Sequence, residues 1–251
     1  DCVIEEAGGQ STSGIYTIIR INDNDVDVVR IVLRLLEEAF PGSSAIHTNK
    51  YIERQVIDIA NLFQRIRSTD GDIVGLWGEL YVISQASSID LAARCWCQQQ
   101  TAKYDFVTSE FVVEVKTTLR SQRKHSFTLE QLRPISKFSV YVASIAIVEV
   151  NSGRTVAALI DWVYKKISHP ELRGAFIRQC LVKGGYDIYR NDIKLAAYPG
   201  GGSLAIFDAG MLPVPLVCSD RIEGVRFTLD VTDMPCLSDE EVGCVLAFGE
   251  D

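Results

Sequence analysis

Apolar positions recur every three or four residues between 25 and 40, where Val28, Val32, Leu35, Leu36 and Phe40 form a stripe. That spacing predicts a helix, with the preceding Asn and Asp as caps and Pro41–Gly42 as its stop. A second stripe, Ile52, Val56, Ile59, Leu62, Phe63 and Ile66, predicts a helix over about 49–67. After the break STDGD, the segment DIVGLWGELYVISQA (72–86) predicts a third and more apolar helix.

From there the period shortens. Residues 92–98, around Trp96, predict a strand, and KYDFVTSEFVVEVKTT (103–118) predicts two strands joined by a tight turn. SFTLEQLRP (126–134) predicts a short helix, because Thr128 and Gln131 have capping-box spacing and Pro134 stands at its stop. FSVYVASIAIVEV (138–150) has enough Val and Ile for a buried strand. Two helices are expected over 154–167 and 170–182, then strands and turns over 184–234, with the GGG at 200–202 as a turn. That GGG lacks the following Lys-Ser/Thr and the strand-to-helix setting of a phosphate loop. The first strand of the chain is expected in IYTIIRI (15–21), behind a loose Gly/Ser-rich start over 1–14.

The strand pattern contains a conflict. In FVVEVK, side chains alternate, so Val112, Glu114 and Lys116 share one face and Val113 and Val115 the other. A turn around Thr108–Glu110 brings Asp105 to a neighbouring position, with the facing dependent on register. Two close carboxylates in a sheet repel one another and lose hydration. A divalent cation relieves both, and Mg²⁺ is content with one or two carboxylates plus waters. A nearby lysine adds a donor for a metal-bound water. The plain alternative is a partly exposed sheet face with an ordinary Glu–Lys pair.

Three neighbours favour the metal reading. Glu79 is the only acid inside its apolar helix, and Gly75 and Gly78 let that helix come close to a sheet. Its alternative is an exposed Glu on a tightly packed helix. Gln131 is placed to bind a phosphate or orient Lys116, although capping explains it as well. LRSQRKH (119–125) gathers Arg120, Arg123, Lys124 and His125, a basic rim suited to a phosphate backbone unless it is only a solvated loop.

Composition restricts the function. With 251 residues, a net charge of −8 and a pI of about 5.0, the chain is no general polyanion binder, so any nucleic-acid site must be local. The seven cysteines are odd in number and lack CxxC spacing, Cys95 and Cys97 forming only C-W-C. With only His47, His125 and His169 beside them, reduced thiols are expected rather than a zinc site. No apolar run nears the roughly 20 residues of a membrane span and no signal segment opens the chain, so a cytoplasmic protein is expected. The first residue is Asp, so a missing natural start is also expected.

At this point GLWGELYVI, YDF, VEVKTT and EQL, in that order, resemble the PD-(D/E)XK superfamily of restriction-endonuclease-like nucleases. More closely, the set is similar to bacterial PD-(D/E)XK family members often encoded near phage-defence genes. GGYDIY (184–189) and VRFTLDV (225–231) extend that similarity across about 15–235. The resemblance implies an α/β fold: a core of helix, three strands, helix and strand, its mixed sheet flanked by helices. Residues 71–150 would form that core, 1–70 an N-terminal strand and helices packing on it, and 151–251 a C-terminal mixed part completing the same domain. It further implies Asp105 and Glu114 as metal ligands with the carbonyl of Val115, Lys116 as the signature lysine, and Glu79 as the helix acid, direct or through water. Tyr104 replaces both the proline of the superfamily name and the histidine of an HDF-like motif. The expected function is Mg²⁺-dependent hydrolysis of DNA, with Mn²⁺ as a substitute, by an endonuclease of a restriction or phage-defence system. Other subunits of such a system are then expected partners. Double-strand cutting would call for a homodimer, though no interface is legible. The alternative is a non-catalytic nucleic-acid-binding or scaffolding subunit on the same fold.

Overall fold

The computed structural model describes residues 2–5, 11–14, 18–22, 24–40, 47–66, 71–97, 103–133, 138–199, 202–219 and 221–249. The chain divides into two units, 1–61 and 62–251. In the first, β1 (Cys2–Glu5) and β2 (Ser11–Gly14) pair antiparallel, so the expected loose start contains a hairpin. Helix α1 (Val26–Ala39) buries Val28, Ile31 and Leu35, and the Asp25 carboxylate accepts from the Asp27 amide at 3.0 Å as its cap. The strand expected over 15–21 is absent from its described part: residues 18–21 have no ladder partner. Residues 15–17 and Pro41–Gly42 lie outside the described residues. Helix α2 (Asn49–Ile66) begins in this unit and ends in the next, burying Ile59, Leu62 and Ile66 as its stripe predicts.

The second unit is built on a five-stranded mixed sheet. Strands β3 (Phe106–Val107) and β4 (Phe111–Thr118) form the expected hairpin. Thr108 closes its turn, its hydroxyl accepting from the Phe111 amide at 2.9 Å. Strand β4 runs parallel to β6 (Ser139–Arg154), from Phe111↔Ser139 to Thr118↔Ala146. The other edge of β6 pairs antiparallel with β8 (Leu204–Asp208) and, further along, with β7 (Leu195–Ala197). From Val140 to Ile147 β6 is buried on both faces and reads as a nearly continuous apolar run, while its far end, from Glu149, is largely exposed.

Helix α3 (Ile73–Gln85) lies against β4. Residues 89–97 form a helix, α4, and not the expected strand. The reason is visible in its burial: Ala92, Ala93, Cys95 and Trp96 fall inside at helical spacing, which the short C-W-C alternation had hidden. The third strand after α3 is instead β5 (Lys124–Thr128), paired antiparallel with β9 (Arg226–Asp230) in a separate small sheet. It precedes the short helix α5 (Leu129–Leu132), so three strands, a helix and a strand follow as expected, with α4 inserted after α3 and β5 outside the main sheet. Helices α6 (Val156–Lys166) and α7 (Pro170–Gly184) follow, α6 capped by Thr155 and α7 started by its proline. Sequence reading did not reach α8 (Asp239–Leu246), although Ser238 and Glu241 form a capping box at its start. Pro134, Gly200 and Gly201 lie outside the described residues; Gly202 has φ +113, as a turn glycine can.

Gly78 sets the approach of α3 to the sheet. A Cβ there would meet the Thr117 hydroxyl oxygen at 1.9 Å, with Thr117 Cβ and Ile145 Cδ1 behind it. Gly75 serves the cap, since the Asp72 carboxylate accepts its amide at 2.8 Å and fills the space of a side chain. Gly78→Ala gains about 1 kcal/mol of helix propensity. Overpacking against a β-branched side chain costs about 1–3 kcal/mol, so net destabilisation is expected in urea unfolding. In a Thr117→Ala background the same change should become neutral or stabilising; equal loss in both backgrounds would refute the close approach.

Candidate active site

The hairpin register places Phe106 opposite Val113, so Asp105, one residue earlier, stands beside Glu114. Asp105 Oδ2 accepts from the Val115 amide at 2.8 Å, which ties the carboxylate to β4. Glu114 Oε1 meets Lys116 Nζ at 2.7 Å on the same strand face. It also accepts from Gln131 Nε2 at 2.5 Å. Gln131 keeps its capping task, Oε1 accepting from the Thr128 amide at 2.9 Å, and so orients Glu114 from the start of α5. Lys116 Nζ lies 5.3 Å from the centre of the Phe127 ring, which supports it from below.

Glu79 arrives from α3 and is buried, as is Glu114. Its Oε2 accepts from the Trp96 indole at 2.5 Å, so α4 holds the helix acid in place. The expected exposed alternative for Glu79 is therefore excluded. Glu79, Asp105, Glu114, Lys116 and Gln131 all join one connected cluster, with Val115 on the strand between.

Sequence reading missed Lys183, at the end of α7. Its Nζ lies 2.5 Å from Glu79 Oε2 and 2.6 Å from Asp105 Oδ1, and 5.9 Å from the centre of the Trp96 ring. Two glycines bring α7 there. A Cβ on Gly71 would meet the Gly184 carbonyl oxygen at 1.9 Å, and one on Gly184 would meet Leu76 at 2.6 Å. The Asp72 amide donates to the Lys183 carbonyl at 3.2 Å, so the end of α7 is fastened to the start of α3. The only sequence signal was a lysine before Gly-Gly, a common helix ending.

The cluster is short of positive charge. Burial pushes Glu79 up to about 8, the Asp105 charge adds to the rise, and Lys183 and Trp96 hold it back. Burial likewise pushes Glu114 up to about 7, with Asp105 adding and Lys116 and Lys183 opposing. Burial works to lower Lys183, but the charges of Glu79 and Asp105 outweigh it and raise it. Both members of the Glu79–Lys183 pair thus hold protons more tightly than in water. Among the described residues no three His, Cys, Asp or Glu side chains form a metal-binding group. The donors on offer are two carboxylates, Asp105 and Glu114, and a strand carbonyl at Val115. That set, with its unbalanced negative charge, fits a hard divalent cation that completes its shell with water.

The basic rim divides. Arg120 is exposed, and Lys124 is exposed with Asp230 at 3.7 Å. Arg123 and His125 are buried, against the expectation of phosphate contacts. The Arg123 guanidinium donates to the Ser144 carbonyl at 2.6 Å, to the Ser144 hydroxyl at 2.8 Å and to the carbonyls of Gly202 and Ser203. His125 Nε2 contacts the same hydroxyl at 2.7 Å, and burial pushes the imidazole down to about 4. These two side chains stitch β5 to β6 and the loop before β8. The described cysteines Cys95, Cys180, Cys218, Cys236 and Cys244 are free thiols. No helix among the described residues is long and apolar enough to cross a membrane.

Residues 9–198 match the family model described as "Putative PD-(D/E)XK family member (DUF4420)". The match spans well over half of the chain, which belongs to that family, and the mixed sheet flanked by helices is consistent with a restriction-endonuclease-like fold. Searches among curated proteins and among solved structures gave no match.

Two measurements follow. Raised carboxylates mean that the folded, metal-free chain holds more protons than the unfolded one, so stability falls as pH rises through 4.5 toward about 8. His125, neutral when folded, acts oppositely below its unfolded value near 6.5. Between pH 6.5 and 8 in a chelator, the melting temperature should therefore decline, and Glu114→Gln should flatten the decline; a parallel slope in the variant would refute the raised Glu114. Separately, Arg123→Ala should lose about 1–3 kcal/mol in urea unfolding, because it leaves buried carbonyls unpaired. Arg120→Ala should stay within about 0.5 kcal/mol of wild type.

Proposed function

We propose that the chain is a divalent-cation-dependent nuclease that hydrolyses DNA phosphodiester bonds with Mg²⁺, as an endonuclease of a bacterial restriction or phage-defence system. The observation that carries this reading is the meeting of Asp105, Glu114 and Lys116 at one point, on a chain of the PD-(D/E)XK family. The order of motifs over 71–150 supports that segment as the catalytic core, working in the cytoplasm with partner subunits.

Asp105 and Glu114 would hold the ion with the Val115 carbonyl, and Glu79 would support the site through Lys183 and Trp96. The ion's contribution when bound is to polarise a phosphoryl oxygen and acidify water. Lys116 reaches into the site from β4 and orients the attacking water, while Gln131 fixes Glu114. The water oxygen bonds to phosphorus, the P–O bond to the leaving oxygen breaks, and that oxygen departs with a proton. The products are a phosphomonoester and a free hydroxyl. Arg120 and Lys124 are the accessible cations of the rim and the candidates for phosphate contacts. Arg123 and His125 are assigned to the scaffold.

Purified chain with supercoiled and linear DNA tests this. Cleavage is expected with Mg²⁺ or Mn²⁺ and not with chelator, and Asp105→Ala or Lys116→Ala should lower it by about 100-fold or more. Mg²⁺ should also raise the melting temperature by linkage. The reading fails if wild type never cuts, alone or with its genomic neighbours, or if both variants cut normally. Undiminished DNA binding and in-cell function of Glu114→Ala would favour a non-catalytic subunit instead.

A further inference from the structure

Glu79, Asp105 and Glu114 are neighbouring carboxylates of one charged cluster, yet they are not served alike. Lys116 pairs with Glu114, on the β4 side. Lys183 pairs with Glu79 and Asp105 together, at 2.5 and 2.6 Å, on the helix side. The two carboxylates, which would otherwise attract a cation together, are thus already bridged by a fixed ammonium. Its placement is not that of a loose surface lysine. The α7 end is locked to α3 by the contacts of Gly71 and Gly184 and by the Asp72–Lys183 backbone bond, and Trp96 lies against the ammonium.

The geometry points to Lys183 as a built-in cation that fills the Glu79–Asp105 half of the site and confines the protein to one divalent ion, in the Asp105–Glu114 half. This rests on the metal-dependent reading above and adds to it a stoichiometry and a positioning residue from outside the motif. By neutralising Glu79 and one Asp105 oxygen, Lys183 leaves Glu114 and the β4 side as the remaining attractive corner. A second divalent ion beside an ammonium fixed at that distance would meet strong repulsion. Without Lys183, Glu79 and Asp105 face each other unneutralised, and that half of the cluster acquires the charge and the space for an ion.

The test counts ions without reference to cleavage. Mn²⁺ bound to the full chain is measured from the loss of the free-ion paramagnetic resonance signal, for wild type, Lys183→Met, Lys183→Arg and Lys183→Met/Glu79→Gln, each checked for folding by circular dichroism. Wild type and Lys183→Arg are expected to bind one ion. Lys183→Met is expected to bind two, or one at least 10-fold more tightly. Adding Glu79→Gln should return the count and affinity to those of wild type, a reversal that mere loosening of α7 would not produce. One ion of unchanged affinity in wild type and Lys183→Met, or two ions already in wild type, would overturn the role of Lys183 and leave the nuclease reading standing. No bound ion in any of the four would overturn the metal reading itself.

Discussion

Two buried carboxylates, Glu79 and Glu114, with the half-buried Asp105 acting on both, are the constraint on which the second unit is organised. Glu79 and Glu114 lose hydration, and the charge of Asp105 makes both harder to ionise. No single element could supply the compensation. Strand β4 brings Lys116, α5 brings a Gln131 amide, α4 brings the Trp96 indole and α7 brings Lys183. The neighbouring elements meet here because their polar ends are needed here. The apolar packing around them, from Phe106 to Ile145, fixes distances that the charges alone would not tolerate.

Close approach is the second requirement. A helix acid can join a sheet cluster only if the helix backbone comes nearly into contact with the strand, and Gly78 above Thr117 permits that. The Gly71–Gly184 contact does the same for α7 against α3. Glycine is thus used at these points for missing volume, while at Gly202 it is used for a backbone angle other residues avoid.

The sequence made local relations legible and hid distant ones. Alternation in FVVEVK and the short turn before it were enough to put Asp105, Glu114 and Lys116 together, because hairpin pairing is decided within a few residues. Glu79 could be found because one acid in an apolar helix needs a partner. Lys183 could not, since its partners lie on elements far earlier in the chain and its own surroundings look like an ordinary helix ending. The basic rim shows the same limit in reverse. Lys124 is exposed between buried Arg123 and His125 because β5 is a strand paired with β9, while Arg120 is exposed in the turn before it, and nothing local announces that pairing. The α4 segment failed for another reason: alternation over a few residues around Trp96 outweighed a helical pattern that needs more length to be seen.

The pairing of β5 with β9 also bears on where the folding unit ends. The family match stops at residue 198, but β9 lies at Arg226–Asp230, and the Val231 amide donates to the Arg123 carbonyl while the Leu129 amide donates to that of Val225. A chain cut after residue 198 would keep every carboxylate and both lysines of the site. It would also expose a bare edge on β5, beside the strand that carries Glu114 and Lys116, and such an edge is open to pairing with another molecule. The family-matched segment and the hydrogen-bonded fold therefore have different borders in this protein, since β8 completes the main sheet and β9 the small one, both beyond residue 198.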